Sequence, residues 1–248
     1  MSPAGNVGAM ADRFYFRQLL SGRDFARDNM IARQMVNFTY LIGDREKGEA
    51  VVVDPAYGVH EIVDLLSADG LRLVGVLGTH WHPDHLGGDM MGHPIEGIRE
   101  LVGRTDVDGR VHLQTPEAEW VKRTTGVSDS DLVLHESGDV VMVGDIPITL
   151  MHTPGHTPGS QCFVVSGRLV SGDTLFLDGC GRTDMAGADP DAMYESLTQR
   201  LATVPDDTIL YPGHMYSPEA HASMGETRAH NYVFRIQSLD QWRMFMGG

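Results

Sequence analysis

Four side chains that can bind a metal ion fall within the six residues His80–His85, which read HWHPDH. Three of them are histidines and the fourth is Asp84, so the segment offers imidazole nitrogens and a carboxylate. A short loop lets such groups converge, whereas a regular helix or strand would point them in different directions. One histidine in a loop is usually a surface residue, but ligands at this density predict a metal centre.

Three further ligand groups stand apart along the chain, at His156, Asp173 and His214, each beside glycine or proline. Tight turns made by those neighbours can hold a side chain at a fixed angle with little bulk around it. With the first segment they make seven ligands, enough for two divalent metal ions. Because nitrogen and oxygen ligands suit several metals, we expect zinc and keep iron and manganese open.

A bound metal would supply a nucleophile that the side chains do not. Coordination lowers the pKa of water from about 15.7 towards about 7, which yields hydroxide at neutral pH. The chain contains no Gly-x-Ser-x-Gly segment, the turn that carries the serine nucleophile of many hydrolases. The sequence therefore predicts a metal-dependent hydrolase, in which Asp84 can also orient the hydroxide or carry a proton.

The order of these groups resembles the metallo-β-lactamase superfamily, with its HxHxDH motif, distal histidine, bridging aspartate and final histidine. The resemblance extends from about Asn37 to Asn231. It implies an α/β fold of four layers, αββα, in which two mixed β-sheets pack face to face with helices outside. It implies this ligand set: His80, His82 and His156 for the first metal, Asp84, His85 and His214 for the second, and Asp173 bridging both. Asp84 and Asp173 are then the catalytic carboxylates.

Within that superfamily the segment Gly179–Asp184 is similar to a stretch of the glyoxalase II (hydroxyacylglutathione hydrolase) branch. That likeness implies hydrolysis of a thioester or related ester of a small acid, with Arg182 and Tyr216 contacting a small-molecule thioester substrate. An ion pair between Arg182 and Asp184 that holds the loop is the structural alternative. The 34 residues after His214 do not accommodate that branch's helical C-terminal domain, which supplies further glutathione contacts, so the identity of the thiol carrier stays open.

Two other functions stay open. Persulfide dioxygenases share the Arg182–Asp184 pattern and use one iron, held by residues matching His80, His156 and Asp173. Such an enzyme would oxidise sulfur instead of hydrolysing an ester. A non-catalytic binding or regulatory member of the fold is the third possibility, although such proteins usually lose ligands and this chain keeps all of them.

Strands that end beside the ligands are the elements that must position them. An apolar run from Leu71 to Gly78 has the composition of a strand buried on both faces, and the histidine segment follows it directly. Apolar and β-branched patterns predict further strands and helices along the chain. The strands are Phe14–Leu20, Met35–Ile42, Ala50–Asp54, Asp139–Val143, Ile146–Met151, Gln161–Val165, Arg168–Ser171 and Thr208–Tyr211; the helices are Val59–Leu66, Thr115–Arg123 with Thr115 as N-cap, and Pro190–Ala202.

Composition narrows the class of protein further. A formal net charge of −15 argues against a nucleic-acid partner, which would draw on clustered lysine and arginine. No apolar run is long enough for a membrane helix, and Met1–Ala11 does not read as a secretory signal. Cys162 and Cys180 are expected to be free thiols in a cytoplasmic protein. We expect one domain over residues 1–248, with 91–110 as a lid or insertion, and leave a homodimer open.

Overall fold

The computed structural model describes residues 13–102 and 110–246, which form two six-stranded sheets and a small hairpin. The first sheet has the order β1-β2-β3-β4-β7-β8 and the second the order β14-β13-β12-β11-β10-β9. The strands are β1 Phe14–Leu20, β2 Phe38–Asp44, β3 Glu49–Val53, β4 Arg72–Leu77, β5 Gly88–Met90, β6 His93–Ile95, β7 Val111–Gln114, β8 Leu132–His135, β9 Val140–Val143, β10 Ile146–His152, β11 Gln161–Val165, β12 Arg168–Gly172, β13 Ile209–Pro212 and β14 Ala222–Ser223.

Helices connect and cover these strands. The α-helices are α1 Met30–Met35, α2 Val59–Ala68, α3 Pro83–Leu86, α4 Ile98–Val102, α5 Ala118–Thr125, α6 Pro190–Glu195, α7 Met224–His230 and α8 Leu239–Met246. In the described ranges no helix is long and apolar enough to cross a membrane.

Both sheets mix parallel and antiparallel pairs. In the first sheet β3, β4, β7 and β8 run parallel, because helical crossovers separate them in sequence. In the second sheet only β12 and β13 pair in parallel. Parallel neighbours end at the same edge of a sheet, so the segments after β3 and β4, and those after β12 and β13, lie next to each other.

Three apolar clusters hold the layers together. One lies between the sheets, where Tyr40 and Val53 of the first sheet pack with Ile148 and Phe163 of the second. A second joins the outer face of the first sheet to α2, α4 and α5, and includes Ile62. The third joins the outer face of the second sheet to α6, α7 and α8. This confirms the predicted αββα order, helices outside two face-to-face mixed sheets.

Several element boundaries differ from the sequence prediction. Residues Met30–Met35 form a helix capped by the Asn29 side chain, so β2 begins at Phe38 instead of Met35. Thr115 is not the N-cap of α5, because Thr115–Glu117 is itself a 3₁₀ turn. The helix that begins at Pro190 continues after Glu195 as a π-helical and then a 3₁₀ turn, ending at Thr203.

The stretch 91–110, predicted to be a lid or insertion, contains regular structure where it is described. It includes β6, paired with β5 as a hairpin, and α4. Ile98 and Leu101 of α4 are fully buried in the cluster of the first sheet. Residues 103–109 of this prediction lie outside the described residues.

Candidate metal centre

All seven predicted ligands lie beyond strand ends at one edge of the sandwich. The segment His80–His85 follows β4, and His156 lies in the loop between β10 and β11. Asp173 and His214 follow β12 and β13, which are parallel neighbours. Backbone hydrogen bonds from Phe38 to Gly213 and from Met215 to Val36 tie this edge to the start of β2. The strands therefore bring together groups that are far apart in sequence.

The short helix α3 divides the first segment between two groups of ligands. Pro83 occupies its first turn, where the missing N–H costs nothing. His82 precedes the helix in extended conformation, while Asp84 and His85 lie within it. This change of backbone sends neighbouring ligands to different sides, which a continuous strand or helix could not do.

The first cluster is formed by His80, His82 and His156, whose candidate ligand atoms all lie within 4.8 Å of one another. His82 Nδ1 is 3.0 Å from His156 Nε2. All three side chains are buried. His80 Nε2 and His82 Nε2 are buried nitrogens without a hydrogen-bond partner.

The second cluster is formed by Asp84, His85 and His214. Its facing atoms lie close together: His85 Nε2 is 3.2 Å from His214 Nε2 and 3.5 Å from Asp84 Oδ2. Asp173 lies between the clusters, with Oδ2 3.6 Å from His156 Nε2 and 3.4 Å from His214 Nε2. This is the position that a bridging ligand needs.

Hydrogen bonds at Nδ1 orient four of the five histidines. Thr79 has one hydroxyl hydrogen and donates it to Asp54 at 2.6 Å, so it must accept from His80 Nδ1 at 2.9 Å. His85 Nδ1 donates to the same Asp54 carboxylate at 2.8 Å. His156 and His214 donate to the backbone carbonyls of Arg182 and Met35, each at 2.8 Å. Each of these rings therefore directs its Nε2 towards the site.

Asp54 supports the ligands from behind. Its carboxylate accepts from Thr79 N, from Thr79 Oγ1 and from His85 Nδ1. The same carboxylate forms a third group of potential ligand atoms with His80 and His85. Because its lone pairs already accept these hydrogens, we assign Asp54 to holding the two imidazoles.

Asn37 lies against the second cluster. Its amide Nδ2 donates to Asp84 Oδ2 at 3.0 Å and lies 3.3 Å from His85 Nε2 and 3.5 Å from His214 Nε2. Tyr57 donates to its Oδ1 at 3.3 Å. The ligand atoms of the second cluster therefore already have a hydrogen-bond donor beside them.

Burial and neighbouring charges set different protonation in the two clusters. Burial lowers the pKa of His80 well below its usual range, and it lowers the pKa of His82 to about 4. Burial acts on His85 in the same direction, but nearby carboxylates, Asp84 foremost, outweigh it and raise the pKa of His85 to about 10. His80 and His82 are thus neutral imidazoles at neutral pH, the form that binds a metal.

Two glycines allow the loops to approach the ligands closely. A Cβ at Gly181 would lie 2.1 Å from the Asp173 carbonyl oxygen and 2.9 Å from the His156 ring. A Cβ at Gly213 would lie 2.3 Å from Asp173 Oδ1. Any side chain at either position would displace a ligand.

The two predicted substrate contacts are placed differently. The Arg182 side chain is 71% exposed and forms a two-point ion pair with Asp184, at 2.8 and 2.9 Å. Arg182 contacts the first cluster through its backbone carbonyl, which accepts a hydrogen bond from His156 Nδ1. Tyr216 is 56% exposed, and its ring stacks on His214 with centroids 4.6 Å apart. Tyr216 therefore borders the clusters directly.

Four supporting residues did not emerge from the sequence: Asn37, Asp54, Thr79 and Glu117. Asp54 had a usable signal, because it follows β3 at the edge where the His80 segment follows the parallel strand β4. For Thr79 the only signal in the sequence was its position directly before His80. Asn37 and Glu117 reach the site through contacts distant in sequence.

The donor set fits a transition metal. Histidine nitrogens and carboxylate oxygens converge without thiolate, since both described cysteines lie elsewhere as free thiols. Buried polar atoms usually have a partner, and a bound cation would provide one for His80 Nε2, His82 Nε2 and Asp173 Oδ1.

Comparison with known proteins agrees with this geometry. The family model of the metallo-beta-lactamase superfamily matches residues 33–214. The mitochondrial persulfide dioxygenase ETHE1 of Bos taurus is 30% identical over 92% of this chain and 83% of its own length. A hydroxyacylglutathione hydrolase of Polaromonas is 35% identical over 73% of this chain and 62% of its own length. The crystal structure of ETHE1 from Myxococcus xanthus superposes with a TM-score of 0.75, at 30% identity, over 94% of this chain and 90% of that one. The chain belongs to the metallo-β-lactamase superfamily.

Proposed function

We propose that the protein is a persulfide dioxygenase that uses one iron ion, held by His80, His156 and Asp173. Two histidines and one carboxylate with open positions beside them are the ligand set of many non-haem iron oxygenases. Relatives with this activity align along 92% of the chain, and a structure from the same group superposes over 94% of it. The proposal replaces the thioester hydrolase as the first choice.

The observation that carries the single-ion proposal is the distribution of unpaired atoms. His80 Nε2 and Asp173 Oδ1 are buried without a hydrogen-bond partner, with His85 Nε2 3.4 Å from Asp173 Oδ1. The third ligand atom, His156 Nε2, lies 3.0 Å from His82 Nδ1. The atoms of the second cluster instead face the Asn37 amide at 3.0 to 3.5 Å. A buried polar atom without a partner costs about 1–3 kcal/mol, so an ion gains most where it relieves that cost. This favours the first cluster with Asp173.

The reaction balances without a further reductant. A persulfide R–S–SH, dioxygen and water give the thiol R–SH and sulfite: the terminal sulfur loses four electrons and dioxygen gains them. The S–S bond breaks, two oxygen atoms come from dioxygen and one from water. Iron held by His80, His156 and Asp173 would supply the redox chemistry of this reaction. The chain orients His80 and His156 towards the site by their Nδ1 hydrogen bonds.

We also propose that Tyr216 and Arg182 contact the substrate. Tyr216 stacks on His214 and is more than half exposed, so one of its faces can meet a ligand that approaches the clusters. Arg182 would have to exchange its ion pair with Asp184 for a substrate carboxylate. Replacing either by alanine should raise KM more than it lowers kcat, because neither touches an iron ligand through its charged or hydroxyl group.

The test is metal analysis followed by oxygen consumption. Protein purified without added metal should contain one iron per chain and consume dioxygen with a low-molecular-weight persulfide. Asp173→Asn should abolish both iron binding and oxygen uptake, whereas Asp84→Asn should leave iron content unchanged. Failure of iron-loaded protein to consume oxygen with any persulfide would refute the proposal.

The completeness of the second cluster favours one alternative, a two-metal hydrolase of thioesters. Asp84, His85 and His214 have the spacing of a second metal site, and Asp173 lies between the clusters. In that enzyme Asp84→Asn would remove the second ion and the activity together. If protein loaded with two zinc ions per chain hydrolyses thioesters, the two-metal hydrolase is the correct assignment.

A further inference from the structure

We infer that Glu117 is a positioning residue that fixes the relative placement of His82 and His156. The inference rests on the metal centre proposed above, but not on the choice between oxidation and hydrolysis. Glu117 is fully buried at the end of the 3₁₀ turn that leads into α5. Neither its sequence neighbourhood nor a metal-ligand motif marks it.

The carboxylate of Glu117 joins the two loops that carry the first cluster. Its Oε1 accepts from Trp81 N at 2.7 Å and from Thr157 Oγ1 at 2.8 Å, and its Oε2 accepts from Gly159 N at 2.6 Å. Trp81 lies between His80 and His82, and Thr157 directly follows His156. One side chain thus holds both loops through three short hydrogen bonds.

The residues around the Glu117 carboxylate allow the two loops to approach it closely. A Cβ at Gly159 would lie 2.5 Å from Glu117 Cβ and 2.6 Å from its Oε2, so only glycine lets the loop come this close. Trp120, one turn along from Glu117, stacks on Trp81 with ring centroids 5.2 Å apart and planes at 22°. The start of α5 and the turn before it therefore contact the His80–His85 loop twice, through the Glu117 carboxylate and through the Trp120 ring.

The consequence appears at the ligand atoms. His82 Nδ1 and His156 Nε2 lie 3.0 Å apart although they come from loops more than seventy residues apart in sequence. The hydrogen bond from His156 to the Arg182 carbonyl orients that ring but does not connect it to the His82 loop. Glu117 provides a direct connection, which preorganises the first cluster for a metal ion.

The test compares Glu117→Gln with the matched control Glu119→Gln, which changes an exposed carboxylate of the adjoining helix α5. In Glu117→Gln the amide can keep an oxygen towards Trp81 N, but then its NH₂ faces the Gly159 N–H, and two donors oppose each other. Metal affinity is measured by competition of Co²⁺ with a chromophoric chelator, and geometry by the visible d–d absorption of the cobalt form.

We expect Glu117→Gln to bind Co²⁺ about 10- to 100-fold more weakly, with an altered d–d spectrum, and Glu119→Gln to match wild type. A purely structural residue would lower the melting temperature and leave both readouts of the folded protein unchanged; that result overturns the inference. If Glu117→Gln does not fold, Thr157→Val removes one of the three hydrogen bonds and should shift both readouts in the same direction. Unchanged readouts in that variant also overturn it. Neither Co²⁺ affinity nor the d–d spectrum requires turnover. Both therefore test the role of Glu117 even if the protein proves not to be a dioxygenase.

Discussion

Replacing Asn231 with alanine should destabilise the protein through the loop that supports the metal centre. The Asn231 side chain is fully buried and makes four hydrogen bonds to backbone. Its Oδ1 accepts from Gly179 N at 2.9 Å and from Val233 N at 3.1 Å, and its Nδ2 donates to the carbonyls of Phe176 and Gly179 at 3.0 and 2.9 Å. This side chain thus ties the segment after α7 to the loop that follows Asp173.

The magnitude follows from the groups left without a partner. The Gly179 carbonyl keeps a hydrogen bond from Phe176 N, but Gly179 N, Val233 N and the Phe176 carbonyl lose theirs. At about 1–3 kcal/mol for each of these three unsatisfied buried groups, the change costs about 3–9 kcal/mol when water does not enter. For a chain of this size, each kcal/mol lowers the melting temperature by about 2–4 °C, so we expect a fall of at least about 6 °C.

The matched control is Asn29→Ala, which also removes an asparagine that accepts two backbone N–H groups, but at a helix start near the surface. Loss of such a cap costs about 1 kcal/mol. Urea unfolding of both variants, followed by circular dichroism, measures the difference. If Asn231→Ala costs no more than Asn29→Ala, the assignment of Asn231 as the anchor of this loop is wrong.

Three other outcomes follow from the site. Gly181→Ala should weaken Co²⁺ binding at least tenfold in a chelator competition, because its Cβ would meet the Asp173 carbonyl and the His156 ring. Burial raises the pKa of Glu117 from 4.5 to about 7, so the folded state holds this proton more tightly than the unfolded chain. The urea-derived stability of metal-free wild type should therefore fall by about 3 kcal/mol more between pH 4.5 and 8 than that of Glu117→Gln; parallel curves would contradict this. Chelation of the metal should lower the melting temperature, and added Fe²⁺ should restore it, because the ion binds the folded protein and would contact His80 Nε2 and Asp173 Oδ1; calorimetry with and without chelator checks this.

The sequence predicted most of the layers because its apolar patterns are local. The strand from Phe14 to Leu20 has the predicted bounds, and β4 lies within the predicted run Leu71–Gly78. A strand buried on both faces is readable as a continuous apolar run, whatever packs on it. The helix Met30–Met35 was not predicted because six residues are too few to show a helical period. Its start is fixed by the Asn29 side chain, which accepts hydrogen bonds from Ile31 N and Ala32 N.

Candidate ligands could be named from the sequence for a reason that does not apply to the residues that support them. A metal ligand must be one of a few residue types, and glycine or proline beside it marks the turn, so seven positions could be named from sequence. Supporting contacts use common residues and distant backbone groups. Asn37 meets Asp84 across 47 positions, and Glu117 meets Trp81 across 36, so only the folded chain brings these pairs together.

The same seven ligands can serve one ion or two, so the ligands themselves do not determine the reaction. What differs between the clusters is the state of the ligand atoms before an ion arrives. His80 Nε2 and Asp173 Oδ1 have no competing hydrogen bond, whereas the second cluster faces the amide hydrogens of Asn37. An ion entering the second cluster must displace the Asn37 amide from Asp84. An ion entering the first cluster meets no hydrogen bond at His80 Nε2 and displaces the contact between His156 Nε2 and His82 Nδ1. Under the single-ion proposal, Asn37 is therefore the residue outside the ligand motif that most directly disfavours a second ion.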